Sequence, residues 1–344
     1  MMKSCNKKLA VFFAAAFGLP VILGIFMGVA FYGGKDVSAF PLTWMCLPAS
    51  GVMLGSLLCR DKESEKAPLP KAFYITFLVM TALLVFVCVA GVFVPVDTML
   101  VTNQIVILGS LVCLAELAVL KRERRREWGL SLTVNWKKAL SGVGVFIVLY
   151  LGLTGLSVLA SWAMGEDISS YQLNPMLWMW VTMLLPLNFV LSFTMFLGEE
   201  YGWRYYLQPV LQEKLGLRRG VIVLGLLWGI WHLPINLFYY SPETSLQSIL
   251  GQLAVCVSFG VFFGWVYMRT KNIWAVTLIH FLNNNLGMAL FQMSAEGVEW
   301  TWGGLFLSAA MYLGIFLPFL LTKEYRGEGK AWEKRMYADY DTKA

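Results

Sequence analysis

The chain has 344 residues, of which 58% are hydrophobic and 14% charged, and its formal net charge is +6. Soluble domains average about 45–50% apolar and about 25% charged residues, so the composition excludes an ordinary soluble protein and indicates a polytopic membrane protein. The positive charge does not indicate nucleic-acid binding, because the basic residues lie in short loops between apolar runs. The six cysteines form no CxxC pair, so neither a disulfide framework nor a thiolate metal site is indicated.

A transmembrane helix needs about 20 consecutive, mostly apolar residues. Ten segments of the chain meet this requirement, and the sequence therefore predicts an all-α polytopic bundle of about ten spans. The segments are roughly 9–32, 40–58, 72–96, 99–120, 139–164, 176–198, 220–240, 247–268, 273–293 and 303–321.

The charges between these segments predict the orientation of the bundle. If the N-terminus is cytoplasmic, all but one of the 27 Lys and Arg residues fall in cytoplasmic loops, and Lys35 is the exception. Basic loops favour the cytoplasmic side of a membrane. An even number of spans then leaves both termini in the cytoplasm, and we expect an integral, multi-pass protein of a bacterial plasma membrane.

The first group of chemically notable residues is Glu199-Glu200-x-x-x-Arg204, near the end of the sixth apolar segment. On a helix, Glu200 and Arg204 are four residues apart and can form an ion pair, whereas Glu199 points about 100° away and lacks that partner. Ionised groups near hydrocarbon mark functional sites, although a single charge there often only closes a span. We therefore interpret the trio as a functional site with Glu199 as a free carboxylate.

The only two histidines of the chain, His232 and His280, lie in later apolar segments. His232 follows Trp228 by one helical turn, about 18 Å into its segment, and Pro234 is expected to kink the helix there. Alone, it could equally be a structural residue of the core. Glu199 would lie near the surface at the end of segment 176–198, so we expect its helix to continue to about Gln212 and bring the two groups together.

His280 and Asn284 are separated by one helical turn and share a helix face. Three consecutive asparagines, 283–285, are costly in a membrane unless they are hydrogen-bonded, which suggests a polar cavity. The alternative is that they hydrogen-bond between helices as packing contacts.

The order Glu-Glu-x-x-x-Arg, aromatic-x-x-x-His-Leu-Pro and His-x-x-x-Asn resembles the CPBP family of intramembrane glutamic endopeptidases. That family includes the type II CaaX prenyl endopeptidases and bacterial bacteriocin-processing or immunity (Abi-like) proteins. The resemblance covers roughly residues 176–293, and Trp228 stands where the family more often has phenylalanine. It divides the chain into N-terminal transmembrane helices (1–170), a CPBP-like catalytic core (171–321) and a cytoplasmic tail (322–344).

The resemblance implies that a water activated by glutamate hydrolyses a peptide bond, without a cofactor. Glu199 would be the general base and His232 would help to hold and activate the water. His280 and Asn284 would stabilise the oxyanion, and a supporting set would keep the site in shape, comprising Glu200, Arg204 and Trp228. The substrate would be a membrane-associated protein or peptide of the CaaX or bacteriocin type, cut near the cytoplasmic side, and the lipid bilayer would be the other partner.

Three other functions remain open on the sequence. A zinc-dependent protease could use His232, His280 and Glu199 as ligands, since two histidines and a glutamate leave a fourth position open, although HExxH is absent. A non-catalytic membrane protein could confer immunity or bind a partner. A transporter could use buried Glu and His residues to relay protons.

Overall fold

The computed structural model describes residues 2–59, 67–165, 167–292 and 299–327. Within these ranges the regular structure is helical and no strand occurs. The principal helices are α1 Lys7–Tyr32, α2 Ala39–Leu58, α3 Lys71–Phe93, α4 Thr98–Val119, α5 Trp136–Ala163, α6 Leu177–Leu215, α7 Leu217–Trp231, α8 Leu233–Tyr240, α9 Ser245–Thr270, α10 Ile273–Phe291 and α11 Trp302–Leu321.

Each of the ten predicted segments is helical over most of its described residues. Over the described ranges, eight helices are long and apolar enough to cross a membrane, or nine if α7 and α8 form one bent span. The helix α10, which covers the remaining predicted segment and carries His280 and the three asparagines, is not among these eight. The all-helical, multi-pass membrane fold is confirmed, while the count of ten and the cytoplasmic termini stay predictions.

The centre of the bundle is occupied by α2. Its most apolar window is 78% buried, compared with 17% for α5 and 11% for α11, which lie at the periphery. The N-terminal half of the chain therefore supplies a buried helix against which α6, the helix that carries Glu199, packs.

Helix α6 is much longer than the predicted segment 176–198. It continues to Leu215, as expected from the nearly uncharged residues 205–211, and contains 39 residues. Two π-helical turns interrupt it, Trp180–Leu184 and Tyr201–Leu207. Because the helix does not end after Glu200, the pair of glutamates lies inside the bundle and not at its surface.

Two glycines set the contact between α6 and α2. A Cβ atom added to Gly198 would lie 2.4 Å from the Met45 carbonyl oxygen, and one added to Gly202 would lie 2.2 Å from Pro48 Cβ. Small residues four apart allow membrane helices to approach closely. This contact places Glu199 and Glu200, which lie between the two glycines, against the central helix.

The predicted kink at Pro234 is confirmed. Helices α7 and α8 meet at an angle of 42°, and the break falls at His232. Proline lacks a backbone N–H and its ring displaces the preceding turn, so a helix bends there. The break leaves the His232 side chain in the interior of the bundle, where it is 6% exposed.

The first residues of the predicted cytoplasmic tail pack against the bundle. Lys323–Tyr325 forms a short 3-10 turn, and the buried Tyr325 hydroxyl donates a hydrogen bond to the Val261 carbonyl of α9 at 2.6 Å. Residues 328–344 lie outside the described part of the chain.

Candidate active site

Glu199 lies at the last turn of regular α-helix before the π-helical segment of α6. Its side chain is nearly inaccessible, at 2% exposure. One carboxylate oxygen, Oε2, accepts a hydrogen bond from the indole N–H of Trp228 at 2.7 Å and a longer one from that of Trp203 at 3.3 Å. π-helical turns occur frequently at functional sites, because they change the direction of neighbouring side chains.

Glu200 points in a different direction and is fully buried. Its Oε2 atom lies 3.2 Å from Arg204 Nε, so the predicted ion pair is present. Its other oxygen, Oε1, accepts a hydrogen bond from His280 Nδ1 at 2.9 Å. Glu200 therefore joins α6 to α10, a contact that the sequence did not predict.

The guanidinium of Arg204 lies over two aromatic rings, 4.8 Å from the centroid of Trp228 and 5.2 Å from that of Phe263. Such cation–π contacts stabilise a cation that is removed from water. Trp228 thus contacts the site twice: its N–H binds Glu199 and its ring face packs on Arg204.

His232 is oriented by the helix break. Its Nδ1 atom lies 2.8 Å from the Trp228 carbonyl oxygen, which can only accept a hydrogen bond, so Nδ1 carries the proton. In the neutral ring, Nε2 is then an acceptor. The ring packs edge-on against Trp231, with centroids 4.9 Å apart, which holds it in place.

His280 and Asn284 differ in burial although they share a face of α10. His280 is 5% exposed and its ring packs among Phe196, Trp228 and Phe263. Asn284 is exposed, and its Oδ1 accepts a hydrogen bond from Asn283 Nδ2 at 3.0 Å. The amide therefore reaches the open part of the site while the imidazole lies deeper.

A cavity of about 770 Å³ connects these groups. All four residues predicted to be catalytic line it, namely Glu199, His232, His280 and Asn284. Trp228 also lines it, whereas Glu200 and Arg204 do not. The cavity is large enough for a short stretch of polypeptide, since ligand pockets measure about 300–1,000 Å³.

Part of the cavity wall comes from N-terminal helices that the sequence did not connect with the site. Met45 of α2 and Asn103 of α4 both line the cavity. Trp203 was also missed, although its spacing of four from Glu199 places it on the same helix face. No local signal could have identified Met45 or Asn103, because they meet the site only through the packing of helices.

The described residues include no group of three or more His, Cys, Asp and Glu side chains arranged to hold a metal ion. His232 and His280 each direct Nδ1 to a protein oxygen. Each ring therefore has only Nε2 available for another partner.

Comparison with known proteins agrees with the predicted resemblance. Residues 177–286 match the family described as Type II CAAX prenyl endopeptidase Rce1-like. This range includes Glu199, His232, His280 and Asn284, and it falls inside the predicted core 171–321, although the domain boundaries themselves stay a prediction.

The chain is also similar to CAAX prenyl protease 2 of Methanococcus maripaludis, with 30% identity over 177 residues. The similar region is 50% of this chain and 64% of that protein, so the chain spans less than two thirds of the relative's length. The part of this multi-pass membrane protein that is similar to the Rce1-like family is therefore residues 177–286, which carry the four predicted catalytic residues.

Proposed function

We propose that the protein is an intramembrane endopeptidase in which Glu199 activates a water molecule to hydrolyse a peptide bond. The observation that carries the proposal is that one cavity is lined by a buried carboxylate, two imidazoles and an amide. Amide hydrolysis requires a general base, groups that orient the water and hydrogen-bond donors for the oxyanion.

Each group has a position that suits one step. Glu199 keeps Oε1 for the attacking water, because the two indole donors lie on Oε2. His232 offers Nε2 as an acceptor and can orient the same water. As the water attacks the carbonyl carbon, its proton passes to Glu199, which can later deliver it to the amine that leaves.

The buried charges favour His280 as a donor for the oxyanion. The buried groups here include two carboxylates, Glu199 and Glu200, and one guanidinium, that of Arg204, which pairs with Glu200. A proton on each nitrogen of His280 would bring the net charge of this group to zero. Its Nε2–H and the Asn284 amide would then be donors for the negative charge that develops on the substrate carbonyl oxygen, each worth about 3–4 kcal/mol.

We further propose that hydrolysis needs no metal. Zinc would require His232, His280 and Glu199 as ligands, and among the described residues no group of three or more His, Cys, Asp and Glu side chains is arranged to hold a metal ion. The substrate would be a membrane-associated peptide or protein, a class consistent with the name of the methanogen relative, a prenyl protease.

The test uses the purified full-length protein in lipid nanodiscs with a library of fluorescence-quenched peptides. Glu199→Gln should abolish cleavage and retain the folded, monodisperse protein, whereas Glu213→Gln, at an exposed position of the same helix, should cleave normally. Activity should also survive a strong chelator. Cleavage by Glu199→Gln would refute the role of the base, and loss of activity with chelator, restored by zinc, would establish the metal-dependent alternative.

A further inference from the structure

The cavity occupies only one end of the bundle. Its polar lining includes Asn103 of α4, Asn188 of α6, Gln252 of α9 and Asn284 of α10. Asn103 and Gln252 lie about 8–11 Å along the axis from the first residues of their helices, and Asn284 lies about 11 Å before the last residue of α10.

Hydrogen bonds show that the connections before α6, α9 and α11 and the end of α10 lie on the same side. The Trp300 amide donates to Thr244 Oγ1 at 3.0 Å, which joins the connection before α11 to the one before α9. The Asn174 amide donates to the Leu290 carbonyl at 2.7 Å, which joins the connection before α6 to the end of α10. Trp300 itself lines the cavity.

The other end of the bundle is filled. Three polar side chains of α6 there are fully buried, those of Arg204, Gln208 and Gln212, and Tyr325 is 2% exposed. Gln212 donates to the Leu217 carbonyl at 3.1 Å and Tyr325 to the Val261 carbonyl. None of these four residues lines the cavity. The site is therefore open toward the first end and packed toward the second.

Charge distinguishes the same two ends. The described connections at the open end, 33–38, 94–97, 164–165, 167–176, 241–244 and 299–301, contain one basic residue, Lys35, and five Asp and Glu residues. The connections at the packed end contain the basic runs, including Lys121–Arg126. Basic loops remain in the cytoplasm, so the packed end is the cytoplasmic one.

We infer that the cavity opens to the extracytoplasmic side of the membrane, opposite to the side expected from the sequence. Its substrate is then a polypeptide segment presented from outside, such as the membrane-proximal part of an exported or membrane-anchored protein. The amide side chains along the passage suit such a segment, because each offers both donors and an acceptor to an extended backbone. The cleavage of that segment rests on the proposed function, whereas the direction of the opening does not.

The direction can be measured by cysteine labelling, which requires no proteolysis. Asn103→Cys is placed in a chain whose six native cysteines are replaced by alanine and is treated, in intact cells, with a membrane-impermeant thiol reagent. Asp36→Cys, in an exposed connection at the open end, and Lys138→Cys, exposed at the basic end, are the matched controls. If the alanine background does not fold, the same variants are made in the native chain and its labelling is subtracted.

We expect Asn103→Cys to be labelled in intact cells to the level of Asp36→Cys, and Lys138→Cys only after permeabilisation. Labelling of Asn103→Cys only from the cytoplasmic side, or from neither side in folded protein, would overturn the inference. So would labelling of Lys138→Cys in intact cells. The peptide-cleavage assay on the parent protein separates the two proposals. Labelling of Asn103→Cys from outside, in a parent that cleaves no peptide, would refute the proposed function and leave the direction of the opening intact.

Discussion

The two ends of the bundle use similar residues for different purposes. At the packed end, Glu200, Arg204, Gln208 and Gln212 are buried among other side chains and hold helices together. At the cavity end, a carboxylate, two imidazoles and several amides face a space of about 770 Å³. The boundary between the two ends falls between Glu199 and Glu200. These residues are adjacent in the chain, and their side chains point in directions one helical step apart.

This difference shows why a polar residue in a membrane helix does not by itself indicate catalysis. Glu200 has both carboxylate oxygens near protein cations or donors, so it functions in structure. Glu199 has protein donors on one oxygen only. Substitutions at the cavity end should therefore reduce activity and leave stability unchanged, and substitutions at the packed end should do the reverse.

After the loss of cleavage in Glu199→Gln, the largest effect is expected for His232→Ala. Loss of the group that orients the water should lower kcat by about 10²–10⁴-fold, the usual contribution of a general acid or base. The thermal unfolding temperature in detergent should remain that of the parent. Glu213→Ala, at an exposed position outside the cavity, is the control and should retain full activity; an equal loss in both variants would contradict the role of His232.

At the packed end, Arg204→Met should lower the free energy of unfolding by about 3–5 kcal/mol, because it leaves the buried Glu200 carboxylate without its cation. Denaturant unfolding in detergent measures the change. Adding Glu200→Gln should recover part of the loss, since a neutral amide needs no cation. Arg218→Met, at an exposed position, should change little. Normal stability in Arg204→Met would show that the ion pair contributes nothing.

Asn284→Ala should reduce kcat by about 10²–10³-fold, the effect of removing one donor from an oxyanion site. KM should change less than kcat, because the amide contacts charge that exists only in the transition state. Asn283→Ala provides the comparison on the same helix. If KM rises and kcat is constant, Asn284 binds the substrate and does not stabilise the oxyanion.

The smallest effect should follow Gly202→Ala. The new Cβ would lie 2.2 Å from Pro48 Cβ, so α6 and α2 must separate slightly. Overpacking of this kind costs about 1–3 kcal/mol of unfolding free energy. Gly144→Ala is the control, since its added Cβ would meet no atom within 4 Å. A Gly202→Ala protein as stable as Gly144→Ala would show that the helix contact tolerates a larger separation.

The sequence predicted the helical segments, the break at Pro234 and the pairing of Glu200 with Arg204, because all three depend on spacing along one helix. Its prediction for α6 ended at residue 198 but anticipated the continuation to Gln212, since the following residues carry few charges. Gly198 and Gly202 are a local signal of helix packing that the prediction did not use. Their separation by four residues indicates a close helix contact.

What the sequence by itself determined is the membrane location, the helical fold and the presence of chemically capable residues, since hydrophobicity and the helical repeat are properties of local stretches. Only the tertiary structure decided that two indoles bind one oxygen of Glu199, that His280 binds Glu200, and that α2 and α4 form part of the wall. These contacts depend on the angles and distances at which helices cross, and those follow from the packing of many side chains along the whole chain.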